Sequence, residues 1–495
     1  MIHSYSKLCN FYKKIAHLGN LAGIIHWDMA CNMPTGAAKY RGEEVATLRS
    51  MIHKLVISDQ FGDLIEEANS TRLSDWQQGN IREMKRMRED ALSVETRLLE
   101  VQSIAASECE FQWREARKNN DFKSLIPNFR KVISITNDIA KARADYFGLN
   151  LYDALLDQYD TGMRSSKIDP VFKTLSEHLP KLLDKILDKQ KSKKVKPLPE
   201  GRFPVAKQEE LAKYLMEKLK FDFNRGAISR STHPFCGGNP HDVRITNRYD
   251  EKDFFTGMMG VIHETGHALY EQNAPEEYIG QPIGSNLGMS VHESQSLMTE
   301  MQISRSKEFY EFITPKLIQL FNLNSKIWTP ENIYNNRIKV ERSLIRVDAD
   351  EVTYPLHVIL RYNLEKELLT GNLQIRDLPS TWNTAMQKLI GIKPKNDANG
   401  CMQDIHWYMG AIGYFPTYTL GAIYSSQFYA AMAKDLKDIK KLISAGEFGP
   451  IVSWLNKNIH NKGRMHPASE LLKKVTGKEI DPDTYLQHLK QRYLG

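Results

Sequence analysis

The sequence predicts a mainly α fold with one small β element near residues 233–250. Three observations carry that expectation: apolar residues recur at helical spacing, long stretches contain almost no Gly or Pro, and one short segment alternates with a period of two. Of the 495 residues, 41% are hydrophobic and 26% charged, which supplies enough apolar material for a large core and argues against disorder.

Along the chain, the N-terminal stretch is interrupted by Lys7, Lys13, Lys14 and His17, so it lacks the continuous apolar core of a secretion signal. The segment from Trp76 to Arg117 is rich in Arg, Glu, Met and Leu and reads as one or two long helices. Val132, Ile135, Ile139, Ala142 and Tyr146 form a helical stripe that should stop at Gly148. The basic run from Lys189 to Lys196 precedes Pro197, Pro199, Gly201 and Pro204, and this 189–204 segment reads as a solvated surface connector. It is the one candidate boundary in a chain otherwise expected to form a single large domain, 1–495. Asp242–Thr246 (DVRIT) is the strand, with Val243 and Ile245 alternating with polar neighbours.

The net charge of +7 is spread over 67 basic and 60 acidic residues, so nucleic-acid binding is not expected. Five scattered cysteines with no C-x-x-C fit a reducing compartment, and no run reaches the ~20 apolar residues of a membrane span. A cytoplasmic protein without a membrane anchor is the expectation.

The chemistry concentrates in His263-Glu264-Thr265-Gly266-His267. On a helix, His263 and His267 stand at i and i+4 on one face, the spacing that lets two imidazoles share one zinc ion. Phe254, Met258, Val261, Ala268 and Leu269 surround them, so the helix should be buried. The alternative is two core histidines satisfied by hydrogen bonds. A catalytic zinc takes three protein ligands and keeps one open position. Glu293, 26 residues beyond His267 on a second expected helix, is the leading third ligand. Glu271, Glu276 and Glu277 are rivals more simply read as solvated charges, and Glu300 fits a supporting position behind the ligands. Glu264 is the carboxylate placed to take the proton of the attacking water and pass it to the leaving amine. Cobalt suits the same donors.

Beyond this motif, HPF at 233–235, DVRIT at 242–246, HESQ at 292–295, IRVDAD at 345–350, GCMQDIHW at 400–407 and GYFPTYTLG at 413–421 occur in an order that resembles the Taq-type thermostable zinc metallocarboxypeptidases. WDMACNMP at 27–34 also looks familial. The resemblance covers most of the chain. It implies a helical fold with a deep groove, a homodimer, Glu293 as third ligand, and release of single residues from peptide C-termini.

A carboxypeptidase must hold a terminal carboxylate, which a guanidinium does with paired charged hydrogen bonds, and Arg346 in IRVDAD is the candidate. Its alternative is an ion pair with Asp350, one turn along. The DVRIT strand could lay its edge along the substrate backbone; Asp242 and Arg244, on one face, could contact substrate or pair with each other. His406, Tyr414 and Tyr418 are candidate donors to the oxyanion, and resemblance to related gluzincin peptidases favours His406 and Tyr418. His233 could line the groove and His292 could orient the site from behind the ligands. Cys236 and Cys401 read as small packing residues. Two other readings stay open from sequence alone: an endopeptidase or dipeptidyl peptidase with the same metal, and a non-catalytic helical zinc-binding scaffold.

Overall fold

A computed structural model gives the fold of residues 2–495, and it is mainly helical. The chain opens with α1 (Ile2–Cys31), α2 (Ala38–Ile57), α3 (Asp59–Asn69) and α4 (Asp75–Leu92). Their inner ends share a small core of Leu8, Phe11, Ile15, Phe61, Ile65 and Met84. The expected helical stretch 76–117 is two helices, α4 and α5 (Thr96–Asn119), interrupted where Ser93 bonds back to the end of α4. The predicted stripe lies on α6 (Phe122–Phe147), which stops at Gly148 with φ +66°. That left-handed turn is open to glycine without steric cost.

After α7 (Leu151–Leu156), α8 (Ser165–Ser192) and the connector comes α9 (Val205–Lys218). The connector's root is tied to the body: the Gln190 amide donates to the Val340 carbonyl and accepts from the Val340 N–H, both at 2.8 Å. The β element is a three-stranded sheet of β1 (Gly226–Arg230), β2 (Phe235–Asn239) and β3 (Asp242–Asn247) in the order β1-β3-β2. β3 runs parallel to β1 and antiparallel to β2. Sequence reading found β3 alone, because β2 (FCGGN) contains two glycines and β1 (GAISR) lies outside the expected region. The central place of β3 corrects the expectation that its edge meets the substrate, since both its edges are already hydrogen-bonded. β2 is the edge strand beside the groove.

The large core collects α5–α9, the sheet and all later helices. At its centre lie α10 (Phe254–Gln272) and α11 (Met289–Leu297). Asp253 caps α10 by accepting from the Phe255 N–H, and the helix is buried on almost every side, as its apolar sequence requires. No helix among the described residues is long and apolar enough to cross a membrane.

At the start of α11, the Tyr159 carbonyl accepts from the Met289 N–H and the buried Asp160 carboxyl accepts from the Ser290 hydroxyl. Burial pushes the Asp160 carboxyl up to about 7. Between its unfolded value near 4 and that figure, the folded chain binds the extra proton, so this group favours folding less as pH rises. An Asp160→Asn variant, which cannot titrate, should gain on the parent by about 1.4 kcal/mol per pH unit across this window. Urea unfolding of both proteins at several pH values between 4.5 and 7.5 checks the sign and slope.

Candidate metal centre

His263 and His267 face out of α10 towards Glu293 on α11. Their Nε2 atoms stand 3.8 Å and 3.4 Å from Glu293 Oε2, and one ligand atom from each residue lies within 4.8 Å of the others. A tetrahedral ion with bonds of ~2.0–2.1 Å separates its ligand atoms by roughly 3.3 Å. The triangle therefore fits a zinc-sized ion.

The other ring nitrogens are occupied. His263 Nδ1–H donates to Glu300 Oε2 at 3.0 Å, and Glu300 also accepts from Arg305 at 2.7 Å. His267 Nδ1 meets His292 Nδ1 at 2.6 Å, and His292 Nε2–H donates to Glu271 Oε1 at 2.9 Å. Both chains leave Nε2 of each ligand histidine free for metal, the arrangement in which a second partner fixes ring and tautomer. Glu300 reaches His263 because α11 runs on as a π-helix over Met298–Ser304, whose wider turn aims the carboxylate back at α10. Glu271 is thus a support for His292, and Glu276 and Glu277 are exposed.

The charges call for a cation. Burial alone would lower the His263 pKa, yet Glu293, Glu300 and Glu264 together push it up to about 10, so a proton on His263 answers the carboxylates. Glu264 is 7% exposed and lines the same cavity, and burial raises its carboxyl to about 7. A proton affinity near neutrality suits a group that must accept a proton and return it.

Two glycines set the spacing of these helices. A Cβ on Gly266 would stand 2.5 Å from the Gln295 carbonyl oxygen and 2.7 Å from Ser296 Cα on α11. On the far side, a Cβ on Gly421 of helix Pro416–Asp435 would stand 2.8 Å from Glu293 Cβ. Gly266→Ala should force α10 away from α11 and spread the ligand triangle; a metal affinity at least tenfold weaker, read by competition with a chromophoric chelator, is the expected result.

Arg346 lines this cavity and is 5% exposed. Its partner is Asp404, bonded through Nε at 3.1 Å and Nη2 at 2.8 Å, while Arg361 binds the other carboxylate oxygen at 2.7 Å. The expected alternative pair with Asp350 is absent because Asp350 accepts from the backbone N–H groups of Glu341, Val352 and Thr353. Despite burial, the two guanidinium groups hold Asp404 well below the usual carboxylate range. Two buried cations share one anion, which leaves a net positive charge against the cavity.

Tyr354, Tyr414 and Tyr418 line the same cavity, with Tyr414 and Tyr418 ring centroids 5.3 Å apart. His406 stands behind them, its centroid 4.6 Å from Phe415 and 5.4 Å from Tyr414, and burial lowers it to about 4, which keeps it neutral. His233 is exposed, whereas its neighbours Pro234, Phe235 and Cys236 line the cavity. Burial pushes the Cys236 thiol well up, so it is an inert wall. Asp242 and Arg244 pair with each other at 2.8 and 2.9 Å, with Arg244 stacked 4.4 Å above the Trp27 ring. Sequence reading missed Asp404, Arg361 and Tyr354, although Asp404 lies inside the quoted GCMQDIHW segment. The cavity of about 600 Å³ shares Met289 and His292 with a second of about 1330 Å³ between the N-terminal helices and the body, and together they form a groove.

The family model described as "Carboxypeptidase Taq (M32) metallopeptidase" matches residues 7–493. Thermostable carboxypeptidase 1 of Pyrococcus furiosus is 35% identical over 488 residues, 98% of this chain and 97% of that protein. Carboxypeptidase 1 of Bacillus subtilis is 33% identical over 99% of this chain and 98% of its own length. Among solved structures, Trypanosoma cruzi metallocarboxypeptidase 1 superposes with a TM-score of 0.97 at 36% identity over 100% of both chains, and an M32 carboxypeptidase from Deinococcus radiodurans R1 with 0.95 at 30% over 99% of each. With the ligand triangle, the groove and full-length likeness in agreement, this chain belongs to the M32, Taq-type family of metallocarboxypeptidases.

Proposed function

We propose that the resident metal is zinc, held by His263, His267 and Glu293, and that the chain removes single residues from the C-termini of short peptides and unfolded chains. The observation that carries the reading is one cavity lined both by the ligand triangle and by the buried Arg346, which shares the Asp404 carboxylate behind it with Arg361 so that the cluster is net positive. A peptide whose last carboxylate neutralises that cluster has its final bond held inside the metal cavity.

Zinc held by these three residues would supply Lewis acidity, lowering the pKa of a water and polarising a carbonyl. Glu264 takes the proton of the attacking water and delivers it to the leaving amine nitrogen. Tyr414 and Tyr418 present hydroxyl donors where negative charge grows on the carbonyl oxygen; His406, off the cavity, supports their rings. Arg346 anchors the terminal carboxylate, and β2 aligns the upstream backbone, its Gly238 and Asn239 lining the outer part of the groove. Asp242, Arg244 and His233 act on the shape of the strand and loop. Cobalt suits the same nitrogen and carboxylate donors.

C-terminal laddering of a peptide digest, combined with metal analysis, tests this. Stepwise loss of single residues with one zinc per chain is expected; internal cleavage or release of dipeptides only would overturn it. Chelation should abolish turnover and lower stability by about 4 kcal/mol where free metal had stood at ~1,000 times its dissociation constant, which thermal melts with and without restored zinc measure. We also read the chain as one domain, cytoplasmic and homodimeric.

A further inference from the structure

The basic run at 189–196, read from sequence as a solvated connector, forms one wall of a third cavity of about 530 Å³. This cavity lies directly behind the metal cavity, and Gln302 lines both. Glu351 faces the metal side and accepts from His488 Nε2 at 2.6 Å and Arg492 Nη1 at 2.8 Å, both of which line the rear.

The charge of the rear cavity is one-sided. Lys189, Lys193, Lys307, Lys339 and Lys440 line it with Arg492, against one acidic side chain, Glu308, and the main-chain end at Gly495. Arg492 is engaged by Glu351, and Lys440 stands 3.5 Å from Glu308. Of the others, Lys193 and Lys307 meet no carboxylate among the described residues. Lys189 Nζ donates to a main-chain oxygen of Gly495, the last residue of the sequence, at 3.0 Å, Lys193 Nζ to the neutral Asn335 Oδ1 at 2.8 Å, and Lys307 sits 5.5 Å over the Tyr334 ring. Lys339 pairs at 3.4 Å with Glu341, which lies outside the cavity. Ammonium groups gathered around a concave surface, exposed as all five are here, raise the local potential for an anion. A multiply charged one satisfies several at once, and lysine is a ready point-charge partner for phosphate. The volume falls in the range of small-molecule sites, roughly 300–1,000 Å³, and is too small for a nucleic-acid strand.

We propose that this rear cavity binds a small molecule carrying two or more linked phosphates. The proposal stands apart from the peptidase reading, since none of the cavity's lysines touches the metal cavity.

The test is isothermal titration of the full, metal-loaded chain with inorganic pyrophosphate at low ionic strength. One saturable site per chain is expected, weakening steeply with added salt. A Lys193→Gln, Lys339→Gln double variant, both positions exposed, should bind at least tenfold more weakly with an unchanged melting temperature in the absence of pyrophosphate. Lys141→Gln, on α6 and outside the cavity, should bind as the parent does. Absence of saturable binding at millimolar pyrophosphate overturns the proposal. So does undiminished binding by the double variant, which would assign the anion to the metal or to diffuse surface charge.

Discussion

Glu264→Gln is expected to hold its metal and its fold while losing peptide hydrolysis by roughly 100- to 10,000-fold in kcat, the usual scale for removing a positioned acid-base group. Gln preserves the shape and a hydrogen-bonding oxygen but cannot carry the proton from water to the leaving nitrogen. Because Glu264 is absent from the ligand triangle, metal content should stay at the parental value. Burial of an amide in place of a carboxyl raised to about 7 should leave the melting temperature close to that of the parent or above it. Steady-state kinetics on an unblocked peptide, metal analysis and a thermal melt together read all three quantities. A variant that retained a tenth of parental kcat would remove Glu264 from the proton path.

Arg346→Ala is the second large effect. Truncating one member of a buried charge pair in a binding site costs about 2–5 kcal/mol, which corresponds to roughly a 30- to 4,000-fold fall in kcat/KM. The loss should appear mainly in KM. Asp404 keeps Arg361 in the variant, so the carboxylate is not orphaned and the fold should survive. Specificity gives the sharper reading. The parent should discriminate strongly between a peptide and its C-terminal amide, and the variant should not, because the group that senses the carboxylate is gone. Equal discrimination by both proteins would assign terminal recognition elsewhere.

The parts of the site readable in sequence are those set by local spacing. His263 and His267 needed only the pitch of one helix, and the stop at Gly148 and the strand at 242–246 needed only their neighbours. Glu293 required two helices to pack, and spacing ranked it above its rivals without bringing it to the metal. Where contacts join distant segments, the linear pattern is silent. The partner of Arg346 is 58 positions away at Asp404, so local pairing logic pointed to Asp350 instead. Strand order was equally hidden: an alternating segment says that a strand forms and leaves open whether it is central or at an edge. The π-turn that aims Glu300 leaves no pattern in MTEMQIS distinct from an ordinary helix. His406 and Tyr418 looked equivalent as donors, and their separation follows from the turn at Gly410–Gly413, where both glycines have positive φ.

The two close glycine contacts, Gly266 against α11 and Gly421 against Glu293, bear on how portable this centre is. The ligand side chains are ordinary, so a designer could write the two histidines and the glutamate into many helical bundles. What those bundles lack is backbone approach close enough for a carboxylate on one helix to meet imidazoles on the next. Transplanting the chemistry therefore means grafting five positions rather than three, with the two glycines carrying as much of the recipe as the ligands.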